Sequence, residues 1–172
     1  MWNEELAEQD FTEAEKAELT SLLSDESPLS STPDSSLGLT VGMRQAFPDY
    51  HRNLLVVNGL IERLAAFVGR MSGKKQEMAW QYAYWQGMPP IRDTLTILSF
   101  GRIPKRVMIL LDSPSYMRKV FSGGLKGAIA KNHLRRAIAD YIVAPACARL
   151  LERATEREPV PMRETVERVV LD

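Results

Sequence analysis

Residues 49–71 constrain this chain more than any other stretch. Leu54, Val57, Ile61, Leu64, Val68 and Met71 recur there at spacings of three and four, the signature of a helix with one apolar face. Leu55, Leu60 and Phe67 broaden that face, so the helix needs neighbours on more than one side. Pro48 and Asp49 suit its start, and Gly59 and Gly69 weaken it slightly. The chain around it has 172 residues, 45% of them hydrophobic and 26% charged. That is what one ordinary domain has, or a small domain with an appendage.

Weaker helical signals flank this element. Thr12-Glu13-Ala14-Glu15 is a capping-box pattern, and Phe11, Ala14, Leu19, Leu22 and Leu23 add a thin apolar stripe, which predicts a short helix over 12–23. Residues 24–36 are rich in Ser, Pro and Asp, with Leu29 their one large apolar residue; they read as a flexible linker. Residues 74–86 predict a helix that ends at Gly87, ahead of Met88-Pro89-Pro90. Trp80 and Tyr84 share one side of it, Tyr82 and Trp85 another. These aromatics could stack on bases beside Lys74 and Lys75, or serve as core or partner-binding residues. Residues 93–99 fit a short helix or a strand.

Charge is strongly segregated. Twenty-two Lys and Arg balance 22 Asp and Glu. Residues 1–40 nevertheless hold ten acids against Lys16, a balance of −9, whereas residues 72–154 hold fourteen bases against five acids, a balance of +9. Such a split suits a polyanion-binding body with an acidic arm. It also suits solvated helix faces with an arm that keeps the chain soluble.

Several classes are excluded or left without support. A single cysteine, Cys147, rules out an internal disulfide framework and a Cys-rich zinc module. With only His51 and His133, little remains for a His-based metal site, and neither has the neighbours of a general base. Ser122-Gly123-Gly124-Leu125-Lys126-Gly127 lacks the spacing of a phosphate loop and reads as a helix-to-helix turn. Cys147, in the apolar APACARLL, reads as a buried small hydrophobe, and Glu62 as a solvated carboxylate. No catalytic constellation, metal or cofactor is expected. No apolar stretch approaches the length of a membrane helix, and MWNEELAEQD is acidic where a secretory signal would be basic. The expected compartment is the cytoplasm.

Residues 102–144 carry a recognisable plan. Val107, Ile109 and Leu111 alternate as the buried face of a strand. Ser113-Pro114 opens a helix that buries Met117, Val120 and Phe121, and Gly123-Gly124 stops it. Asn132 can cap a second helix with Leu134, Ile138, Tyr141 and Ile142 on one side, which Pro145 ends or kinks. Through RVMILLD, SPSYMRKVF and NHLRRAIADYI, this segment resembles the ribbon-helix-helix family of DNA-binding regulators.

The resemblance implies a homodimer that pairs two strands into a ribbon for the major groove. It would put Arg106, Met108 and Leu110 on the groove side, with Lys105 and Lys126 adding charge. Asn132 and His133 would clamp a phosphate, helped by Lys131, Arg135 and Arg136. Met108 and Leu110 depart from the family's polar pattern and could at best touch thymine methyls.

The expected fold is therefore mainly α, with one short strand in a ribbon-helix-helix-like C-terminal half, or else an all-α bundle. Its expected parts are an acidic arm (1–36), a helical dimerisation or partner-binding part (37–101), a basic module (102–150) and a C-terminal helix or tail (151–172). The expected function is that of a dimeric regulator contacting duplex DNA, with the arm competing for the basic face or recruiting another protein. The rival is a non-enzymatic helical adaptor or small subunit of a larger assembly, binding protein through Trp80, Tyr82, Tyr84 and Trp85.

Overall fold

A computed structural model describes residue 5, residues 10–24 and residues 36–157. Its regular elements are all helical among those residues. Most of the linker and the C-terminal tail lie outside them.

The short helix α1 (Glu13–Leu22) forms as its capping box predicts. Thr12 Oγ1 accepts from the Glu15 amide at 3.2 Å, and Glu15 Oε1 accepts from the Thr12 amide at 2.8 Å. Phe11, Leu19 and Leu22 are buried in the common core, with Phe11 edge-on to Phe67 at 5.8 Å. The described part of the acidic arm is thus packed into the body.

After α2 (Val41–Ala46) comes the long helix α3 (Pro48–Arg70). It buries Leu54, Val57, Ile61, Leu64 and Val68 along its predicted stripe, and Leu55, Leu60 and Phe67 beside it. As the wide stripe requires, α1, α2 and the segment 73–98 all pack against it.

That segment differs from expectation. Helix α4 (Gly73–Tyr82) does not stop at Gly87 but passes through a π turn, Ala83–Gly87, into α5 (Met88–Leu98). A π turn realigns the i−4 ladder, which lets Pro89 and Pro90 enter the first turn of α5 without their missing N–H groups breaking the rod. Gly87 allows the close approach to α3, since a Cβ there would lie 2.5 Å from Leu64 Cδ1. Residues 93–98 are helical, and Tyr50 Oη donates to the Leu98 carbonyl at 2.9 Å.

The expected ribbon strand is a helix, α6 (Lys105–Leu111). Val107 and Leu111 are fully buried whereas Ile109, midway between them, is 58% exposed. A strand would have buried all three; a helix returns to one face after four residues. Met and Leu are good helix formers, and a run this short cannot distinguish the two periods. Residues 105–111 thus offer no ribbon strand, and the physical reason for an obligate dimer that rested on it falls away.

Helix α7 (Pro114–Val120) starts as predicted, with Ser113 Oγ accepting from the Tyr116 amide at 3.3 Å. The next helix, α8 (Gly124–Ile138), begins directly after the glycine turn, not at Asn132. Asn132 is mid-helix, where its Oδ1 accepts from Arg135 Nη1 at 3.2 Å. Pro145 does not end the rod either. A second π turn, Ala139–Val143, precedes it, and α9 (Ala144–Arg157) continues. No helix among the described residues is long and apolar enough to cross a membrane.

The α7–α8 hairpin depends on Gly127, where a Cβ would sit 1.9 Å from the Ser122 carbonyl oxygen, a backbone atom. Gly127→Ala is therefore expected to cost about 1–3 kcal/mol in a urea titration, as overpacking does. Gly42→Ala, on an exposed helix with nothing within 4 Å, is expected to be neutral or to stabilise by up to about 1 kcal/mol.

Candidate functional site

Most of the residues expected to contact nucleic acid fall in three places. The first lies between α3 and α8 and is half-buried. Arg135 donates from Nε to Oδ1 of the buried Asn58 at 2.8 Å and from Nη2 to Glu62, while Lys131 Nζ stands 3.5 Å from Glu62 Oε1. Glu62 is thus the acceptor at the centre of a bridge between two helices, not the solvated carboxylate expected. Its two basic partners lie 73 and 69 residues further along the chain, a relation that linear spacing does not reveal.

The second place is a groove of about 460 Å³ between α7 and α8, lined by Tyr116, Lys119, Lys126, Ile129, Ala130 and His133. His133 Nδ1 lies 2.7 Å from Tyr116 Oη, which also donates towards the Ala130 carbonyl at 3.3 Å. Burial pushes the Tyr116 hydroxyl up to about 12. Asn132 and Arg136 are exposed on the same helix.

The third place surrounds the turn from α5 to α6. Phe100 adopts a left-handed φ of 58°, followed by Gly101 at 114°. The guanidinium carbons of Arg149 and Arg153, one turn apart on α9, lie 5.0 and 5.1 Å from the Phe100 ring centre. Arg106 lies 5.2 Å from the ring centre of Tyr141, donating to its hydroxyl at 2.9 Å. Phe100, Tyr141 and Arg149 all line one cleft of about 100 Å³. Among the described residues none of these three arginines closes an ion pair; Glu152 and Glu156 share α9 with Arg149 and Arg153 without pairing with them. Of this cluster only Arg106 was expected. The Arg149–Arg153 spacing of four was readable in ARLLER, but its meeting with Phe100 was not.

The remaining expected residues are dispersed. Lys105 is exposed beside Arg106 on α6, while Met108 and Leu110, expected on a groove-facing ribbon, are half-buried against the core. Trp80 is buried, packed on Phe121 and Tyr84 with Arg118 stacked over it at 4.8 Å. Tyr82 is half-buried and donates to the Leu19 carbonyl at 2.7 Å. Tyr84 and the 49%-exposed Trp85 line a further cleft of about 410 Å³, beside the Arg92–Asp112 ion pair.

Three acids of the described body, Glu62, Glu77 and Asp112, face bases. Glu77 holds Arg118 through both oxygens at 2.7 and 3.0 Å, and Asp112 holds Arg92 at 2.8 Å. The arm does likewise: Asp10, Glu15 and Glu18 pair with Lys74, Lys75 and Arg70. Among the described residues no group of three His, Cys, Asp or Glu could hold a metal ion. Cys147 is half-buried, and desolvation pushes its thiol up, away from the thiolate that reactivity needs. His51 lies 3.2 Å from Ser36 Oγ, and burial pushes its imidazole down.

Protein-family models, curated proteins and solved structures give no match to this chain, so the ribbon-helix-helix resemblance has no family support.

The bridge around Glu62 separates two neighbouring arginines by experiment. Arg135→Ala is expected to cost about 1.5–3 kcal/mol in urea unfolding, the worth of hydrogen bonds to charged groups. The exposed Arg136→Ala should stay within about 0.5 kcal/mol of the parent. Stability should also respond to acid through Glu77, whose carboxyl is held below the usual range by its hydrogen bonds to Arg118. A depressed carboxylate stabilises the fold fully above its unfolded value and loses that contribution as pH falls through the folded one. Thermal melts from neutral pH to below about 4.5 should fall less steeply for Arg118→Ala than for the parent.

Proposed function

We propose that this chain is a non-enzymatic module that binds nucleic acid through its phosphates, with Arg106, Arg149 and Arg153 as the contacting groups. The observation that carries this reading is the third cluster: three guanidiniums stacked on two rings around one cleft, none neutralised by a carboxylate among the described residues. Stacking on an aromatic face uses no N–H donor, so those of Arg149 and Arg153 remain available as forks for phosphate oxygens, and Arg106 keeps the donors it does not give to Tyr141. Arg102 and Lys105 add charge close by in sequence. The excess of bases over acids in residues 72–154 supplies a long-range field that favours polyanions.

With a helix where the ribbon was expected, no side chain among the described residues is in a position that argues for base readout. The recognition proposed is therefore of the backbone, tolerant of sequence, and a single copy of the chain suffices for it. Dimeric regulation of a particular operator is a narrower reading, and nothing in the arginine cluster calls for it.

The test is binding of the full chain to two labelled duplexes of unrelated sequence, measured by anisotropy over a range of salt. Both should bind with similar affinity, and log K should fall with log salt by about 0.9 per phosphate contacted. Arg149→Ala combined with Arg153→Ala should weaken both duplexes equally and flatten the salt slope by about 2, with the circular dichroism unchanged. An affinity indifferent to salt, or a double variant that binds like the parent, would overturn the proposal.

A further inference from the structure

The groove between α7 and α8 is a different kind of surface from the arginine cluster. Leu125 is 77% exposed and Ile129 61% exposed. They stand four residues apart, with His133 four further on, so they form one stripe along α8. Single exposed apolar side chains are ordinary, but a pair beside a concave cavity marks a contact surface. Its lining adds Tyr116 and Ala130, with Lys119 from α7 and Lys126 from α8 as the charged members and no Asp or Glu. Arg136 lies one further turn along the exposed face of α8.

What would cover such a surface is decided by charge and by apolar content together. A phosphate backbone would satisfy the lysines but leave Ile129 and Leu125 facing anions. A neutral apolar helix would cover the stripe but desolvate the lysines without a partner, which is costly. An acidic amphipathic helix meets both demands. The chain already contains one such contact: α1 and the residues just before it bury Phe11, Leu19 and Leu22 while Asp10, Glu15 and Glu18 pair with Lys74, Lys75 and Arg70.

The geometry points to the α7–α8 groove as a docking site for an acidic amphipathic helix of another protein, laid across Ile129 with its carboxylates towards Lys119 and Lys126. This goes beyond the phosphate-binding reading and does not depend on it. The arginine cluster would hold nucleic acid while the groove holds protein, which would make the chain a connector between the two. Recognition would follow the helix-in-groove mode, with anchors at i, i+3 or i+4, and i+7.

The probe is a fluorescein-labelled synthetic peptide of about 15 residues, with leucines at i, i+4 and i+7 and glutamates at most other positions. Controls are a version with every Glu replaced by Gln and a version with the leucines scrambled. The full chain should bind the acidic amphipathic peptide and bind each control at least about ten-fold more weakly. Ile129→Glu should weaken binding by about ten-fold or more, as loss of a buried aliphatic anchor does. Lys119→Glu with Lys126→Glu should do so in a salt-dependent way. Arg149→Ala with Arg153→Ala should leave peptide binding unchanged, so failure of the nucleic-acid reading and failure of this one are distinguishable. Ile129 and both lysines are exposed or at the groove rim, and unchanged melting temperatures would show that the variants fold. Equal binding of the Gln control, or indifference to Ile129→Glu, would overturn the proposal. So would a chain that sediments as a dimer dissociated by Ile129→Glu, which would make a second copy the occupant. Peptide binding that emerges only after removal of residues 1–9 would equally overturn it, by making the chain's own arm the occupant.

Discussion

The apolar surface of α3 is too wide for one neighbour to cover, and the arrangement of the other helices answers that constraint. Leu54, Val57, Ile61 and Leu64 are all but inaccessible, and each such side chain contributes about 1.5–3 kcal/mol when withdrawn from water. Covering them takes α5 along one side, α4 and α1 towards the C-terminal end, and α2 near the start. The α6–α9 half is then tied on by polar means as well, through the reach of Arg135 to Asn58 and Glu62. A buried asparagine inside a helix otherwise this apolar would be costly without that partner.

How much of this was legible in the sequence depended on the length of the signal. The stripe over 49–71 spans six turns, so its period was unambiguous and its many-sided burial followed. Thr12 with Glu15 and Ser113 with Pro114 were legible for another reason: a cap is a local bond between residues three apart, and sequence holds all its parts. The run VMILL failed because five residues alternate almost as well as they wind. Ile109 became the deciding residue only once neighbours existed to leave it outside. Asn132 misled similarly, because a good cap residue is also tolerated mid-helix when a guanidinium bonds its amide oxygen.

The candidate surfaces were less legible than the fold. Phe100, Tyr141 and Arg149 line one cleft although they come from the turn after α5, the second π turn and α9, and the turn has no strong sequence mark besides Gly101. The prolines gave opposite trouble. Pro89, Pro90 and Pro145 are loud signals that correctly marked disturbance, but the disturbance was one widened turn in each case and the rods ran on. Proline removes one hydrogen bond and introduces one clash; it does not forbid a helix that shifts its ladder first.

The packing of α1 has a consequence for what counts as a unit in this molecule. By composition the chain divides near residue 40, acidic before and basic after, and the division looks like a tail on a body. By contact, Phe11 belongs with Phe67, and Glu18 with Arg70, across some fifty residues of intervening sequence. The acidic piece and the basic piece stand to each other as ligand and receptor joined by a tether. Cutting the tether would turn one folded chain into a two-fragment complex whose integrity depends on its concentration.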